Sequence, residues 1–89
     1  MPEVILITQK GCKPCLRVKR LLEELRPEVA DLVVTEVSFS SEEGMRRANQ
    51  DGIAFPPAVY VDGMFLAKGK VHEEVLRRAL GARPRPGSP

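Results

Sequence analysis

Aromatic side chains are nearly missing from this chain: its 89 residues include no Trp, one Tyr and three Phe. Stability must then rest on Val, Ile and Leu, and a domain of this length buries only about 60% of its unfolded surface. A large internal ligand cavity is excluded. Histidine is scarce too, and one His with two Cys cannot supply the four ligands of a structural zinc site within one chain. No stretch approaches the roughly 18 apolar residues of a membrane span. No charged-then-apolar leader with a small-residue cleavage site opens the sequence, so a cytoplasmic protein without membrane association is expected. Fourteen Lys and Arg against twelve Asp and Glu leave a net charge of +2, which argues against nucleic-acid binding. No internal repeat is visible, and the length allows one domain.

What is present is a composition of 43% hydrophobic and 29% charged residues, that of a soluble globular domain. Glu3 to Thr8 is an apolar, β-branched run bounded by Pro2 and by Gln9-Lys10-Gly11, and reads as a central strand buried on both faces. From Pro14 to Leu25, the apolar residues Cys15, Val18, Leu22 and Leu25 recur at steps of three and four. This predicts an amphipathic helix that tolerates Pro14 in its first turn and stops before Pro27. Leu32 to Phe39 predicts a second strand, and Glu36 within it suggests a place near a sheet edge. Ser40-Ser41-Glu42-Glu43 has a serine cap with Glu three residues on, opening a short helix to about Gln50 that Gly52 ends. Ala58 to Val61 and Met64 to Ala67 flank Asp62-Gly63, a strong hairpin signal. Val71 to Leu80 predicts a last helix with Val71, Val75, Leu76, Ala79 and Leu80 on its apolar face. The expected fold is an α/β sandwich of order β-α-β-α-β-β-α over residues 1–80, with a four-stranded mixed sheet and helices on both faces. Gly81 to Pro89 has three prolines and no apolar periodicity, so a flexible tail is expected.

Cys12-Lys13-Pro14-Cys15 falls where the first strand ends and the first helix begins. Cys12 is expected at the helix start, where unpaired N–H groups and the positive end of the dipole favour a thiolate. Lys10 and Lys13 act in the same direction, and thiols in such settings are nucleophiles of disulfide exchange. Cys15, one turn deeper on the apolar face, should be shielded. Cys12 is thus the candidate nucleophile, and Cys15 the candidate that resolves the mixed disulfide. Residues 1–20 hold five basic groups and one acid. The collar of Lys10, Lys13, Arg17, Lys19 and Arg20 is read mostly as a solvated helix face. His72 is read as a surface residue, and Tyr60 and Phe65 as sheet packing. The alternative for the Cys pair is zinc or an iron-sulfur cluster shared between two chains.

Thr8-Gln9-Lys10-Gly11-Cys12-Lys13-Pro14-Cys15, followed by Gly52-Ile53 and by Pro57 ahead of a hairpin, resembles the thioredoxin and glutaredoxin superfamily across nearly all of residues 3–80. Pro14 and Gly69 look like thioredoxin, whereas the small size and Lys10-Gly11 look like glutaredoxin. The chain resembles the small thioredoxin-like proteins of glutaredoxin size. The resemblance implies a thiol-disulfide oxidoreductase that reduces protein disulfides, needs no bound cofactor and is recharged by an external reductase or thiol donor. It implies that Pro57 is cis and faces the cysteines, and that Lys10, Lys13, Pro14, Pro56 and Pro57 contact substrate. A monomer is expected. Two departures stand out. The acid that thioredoxins bury six residues before the nucleophile is replaced by Leu6. The Gly-Gly and acidic residues with which glutaredoxins hold glutathione are replaced by Ala67-Lys68-Gly69-Lys70. The residue before the cis-proline pairs its backbone with substrate in this superfamily; here it is Pro56, which has no N–H. A glutathione-dependent, glutaredoxin-type reductase is the nearer alternative.

Overall fold

A computed structural model of the protein describes residues 2–83. Strand β1 (Glu3–Thr8) runs through the middle of the sheet because its side chains alternate between two apolar environments. Val4 and Leu6 enter one cluster with Val18, Leu22 and Leu25 of helix α1 (Lys13–Leu25) and with Leu76 and Leu80 of helix α3 (Glu73–Leu80). Ile5 and Ile7 enter the other, with Ala48 of helix α2 (Glu42–Asp51) and with Tyr60. Thus α1 and α3 cover one face of the sheet and α2 the other. The order is β2-β1-β3-β4, with β2 (Val33–Ser38), β3 (Ala58–Val61) and β4 (Met64–Lys68). β2 is parallel to β1, β3 is antiparallel to it, and β4 closes the hairpin. This is the expected α/β sandwich, with β2 at an edge as Glu36 suggested. Asp62 and Gly63 turn the hairpin with φ of 49° and 83°, the left-handed pair that a two-residue loop requires.

Helix α1 stops before Pro27 as expected, and Arg26–Glu28 follows as one 3-10 turn, in which Pro27 near its start forfeits no intrahelical bond. Local readings in α2 and α3 need correction. The cap of α2 is Ser41, whose Oγ accepts from Gly44 N at 3.0 Å. Ser40 instead turns its hydroxyl to Ser38, and Glu43 pairs with Arg47. A Cβ on Gly44 would collide with the Ser38 carbonyl, so glycine lets α2 approach the end of β2. In α3, Ala79 is exposed, while Arg77 is buried. Its guanidinium bonds Glu73 and Glu28 at 2.8 Å and the Arg83 carbonyl at 2.9 Å, and so meets the hydrogen-bonding demand that burial imposes. Ala82 N also bonds the Arg77 carbonyl. The remainder of the expected tail, residues 84–89, lies outside the described residues.

Candidate functional site

Gly11, at φ 79°, turns the chain out of β1, and Cys12 N bonds the Gln9 carbonyl at 3.1 Å. Cys12 then caps α1 in an extended conformation, and its Sγ accepts from Cys15 N at 3.1 Å. A sulfur in this place meets an unpaired N–H and the positive end of the helix dipole, both of which favour the thiolate of the reduced form. Cys12 and Cys15 are joined as a disulfide with Cα atoms 5.2 Å apart. Cys12 is half-buried, whereas Cys15 is only 3% exposed. One sulfur is open to an incoming disulfide and the other is shielded, the asymmetry that an attack-and-resolve sequence needs.

On one flank of this bridge, the Pro56-Pro57 bond is cis, and both prolines are buried. The Pro56 carbonyl oxygen lies 4.0 Å from Cys12 Sγ. Gly69 N donates to the Pro57 carbonyl at 2.8 Å, which ties the proline loop to the end of β4. Beside it runs a surface groove of about 680 Å³, with Pro14, Phe55, Pro56 and Pro57 in its lining and Lys13, Arg17 and Lys70 as its cations. Phe55 is 66% exposed. Arg17 is anchored through a 2.7 Å bond to the Val71 carbonyl.

The other flank is smaller and more polar. A cleft of about 220 Å³ is bounded by Thr8, Lys10, Cys12, Cys15, Lys19 and Glu36. Lys19 Nζ donates to Glu36 Oε2 at 2.9 Å. That hydrogen bond and the adjacent carboxylate charge hold the Lys19 ammonium above its ordinary range. The residues expected to contact substrate therefore divide. Lys13, Pro14, Pro56 and Pro57 share the groove, while Lys10 belongs to the cleft with both cysteines.

Three features were not foreseen: Phe55, the anchoring of Arg17, and the Lys19–Glu36 pair. An aromatic directly before two prolines, in a chain with so few aromatics, was a readable signal for the first. The other two depend on tertiary neighbours. His72 is exposed at the start of α3, and Tyr60 packs edge-on against Phe65 with ring centroids 5.6 Å apart. Both follow the reading from sequence. Among the described residues, no three His, Cys, Asp or Glu side chains cluster as metal ligands, and no helix is long and apolar enough to cross a membrane.

A mixed sheet with a Cys-x-x-Cys pair capping its first helix, opposite a cis-proline, defines a thioredoxin-fold protein of the thiol-disulfide oxidoreductase class. The family model described as Glutaredoxin matches residues 4–66, and the chain belongs to that family. Among solved structures, a mutant of the thioredoxin-like protein BC3987 is similar, with a TM-score of 0.69 and 23% identity over 86% of this chain and 97% of that one. The oxidised thioredoxin O2 of Arabidopsis thaliana gives 0.66 and 18% over 91% and 73%. Glutaredoxin 1 of Francisella tularensis, complexed with cacodylate, gives 0.58 and 15% over 88% and 91%. These likenesses establish the fold. No curated protein matches by sequence.

Proposed function

We propose that the protein reduces disulfides in other proteins, with Cys12 as nucleophile and Cys15 as resolving thiol. The observation that carries this reading is the position of Cys12: half-buried, capping α1, and bonded from the Cys15 N–H. In the reduced form, the Cys12 thiolate attacks one sulfur of the substrate disulfide, whose S–S bond breaks and releases the first thiol. Cys15 then loses its proton and attacks Cys12, which forms the Cys12–Cys15 bond and releases the second thiol. The two thiols give two electrons to the substrate; of the two protons it takes up, one is matched by the proton lost from Cys15 and the other comes from solvent, to which Cys12 had already lost its own. An external reductase or thiol donor restores the dithiol.

Protein disulfides are preferred to glutathione adducts on chemical grounds. An extended substrate chain lying along the proline loop can donate to the Pro56 carbonyl but finds no N–H there. One missing bond is worth about 0.5–1.5 kcal/mol, or roughly two- to tenfold in affinity. A protein can recover this through the Phe55 groove, whereas a tripeptide has few other contacts. The glutaredoxin-type reading is favoured by the family match and stands as the second. Reduction of insulin by a low-molecular-weight dithiol, followed with and without the protein, tests the proposal. Catalysed precipitation of the insulin chains is expected; no acceleration would refute the reading as an enzyme.

A further inference from the structure

Resolution needs a proton acceptor near Cys15, because a thiol buried in apolar surroundings ionises reluctantly and only the thiolate attacks. Strand β1 offers none: Leu6 is fully buried on the face covered by α1. In the parallel register of β1 and β2, however, Leu6 pairs with Glu36. Directly paired residues lie on one face of a sheet, so Glu36 rises on the α1 side at the sheet edge. On α1, Lys19 follows Cys15 by four residues and lies over the same helix face. The two elements thus meet through Lys19 Nζ and Glu36 Oε2 at 2.9 Å, at the edge of a cleft of about 220 Å³ that both cysteines also bound. The volume admits several water molecules.

We infer that Glu36, positioned by Lys19, takes up the Cys15 proton through water in this cleft as the mixed disulfide is resolved. The inference rests on the dithiol reading above. The charged groups around Glu36 are Lys19 from α1 and Lys10 from the loop before it, with Glu23 acting on Lys19 from the next turn. Lys19 is a cation held protonated by its bond to Glu36, so it orients the carboxylate and accepts nothing itself. Glu36 is the carboxylate of the cleft lining. The proton passes from Cys15 to water and from water to Glu36. The Cys15 thiolate forms its bond to Cys12 Sγ, and the bond from Cys12 to the substrate sulfur breaks. The departing thiolate is protonated by solvent, and half-exposed Glu36 returns its own proton there.

The test uses the reduced protein and one equivalent of an aromatic disulfide whose thiol absorbs visible light. The first equivalent of coloured thiol reports attack by Cys12, and the second reports resolution by Cys15. In Glu36→Gln, the second phase is expected to slow about ten- to hundredfold at neutral pH while the first is retained. Its rate should then climb about tenfold per pH unit, as hydroxide replaces the lost base, where the unsubstituted protein shows a shallower profile. Glu36→Asp should recover part of the rate, and Lys19→Gln should lose a smaller factor. An unchanged second phase with an unchanged pH profile in Glu36→Gln would overturn the inference. So would equal slowing of both phases, which would indicate a general effect on the fold or its surface charge. Absence of the first phase in the unsubstituted protein would instead refute the dithiol reading, and the inference with it.

Discussion

The two flanks of the Cys12–Cys15 bridge are built from different chemistry. The proline flank is a wide surface groove in which Phe55 and three prolines form an apolar floor between Lys13, Arg17 and Lys70. The opposite flank is about a third of that volume and bounded by an ion pair. An open apolar floor suits a protein segment that must be held without a specific side-chain code. A narrow polar cleft suits the movement of a proton. On the functions proposed above, substrate docking and acid-base work would use different edges of the same helix terminus.

The largest break in this picture comes from the cysteines themselves, which both flanks share. Cys12→Ser should abolish disulfide exchange. Cys15→Ser should retain attack and accumulate a mixed disulfide on Cys12, visible as an intact-mass increase after incubation with a protein disulfide. Adducts that form at Cys15 in Cys12→Ser would reverse the two roles.

Phe55→Ala sharpens the comparison by touching one flank alone. Removing an exposed aromatic anchor is expected to lower kcat/KM for a protein disulfide about tenfold, the magnitude of a moderate interface hot spot. Attack on a small aromatic disulfide should change little. Equal losses on both substrates, measured side by side, would mean that the groove shapes the cysteines rather than the docking of protein.

A smaller effect lies on the α2 face, away from both flanks. Tyr60 is buried, and its hydroxyl donates to Asp51. Burial first, and the Asp51 carboxylate second, push the phenol up to about 12. The neutral phenol is favoured in the fold, so its contribution to stability is complete below pH 10 and is lost as the pH rises from 10 towards 12. Denaturant melts across that range should show a decline that Tyr60→Phe removes, with exchange rates at neutral pH retained.

Much of this arrangement was legible because it is local. The strand–turn–helix around Cys12, the Asp62-Gly63 hairpin and the end of α2 at Gly52 are each specified within a few residues, by turn chemistry and apolar period. That Pro57 is cis was implied by the family resemblance rather than by its local sequence. What sequence left hidden is made by partners distant along the chain. Arg77 reads as one more surface cation of α3 until Glu28 arrives from the turn after α1. Glu36 reads as an edge-strand charge until the register sets it beside Leu6 and Lys19 closes over it. The basic collar is exposed, as its reading as a solvated helix face expected, but two of its members have partners that sequence hid: Arg17 bonds the Val71 carbonyl and Lys19 bonds Glu36. Serine capping of α2 shifted by one residue because Ser38 and Gly44, not the Ser-Glu spacing, determine how the helix meets β2.

We propose that the groove and the missing N–H at Pro56 together favour protein disulfides over glutathione adducts. The most direct test of this preference is the ratio of kcat/KM for a protein disulfide to that for a glutathionylated protein or peptide, measured with one electron donor. The missing N–H at Pro56 predicts a ratio above one, by at least about two- to tenfold. Equal or faster turnover of the glutathionylated substrate would contradict the account and make the protein a glutathione-dependent reductase.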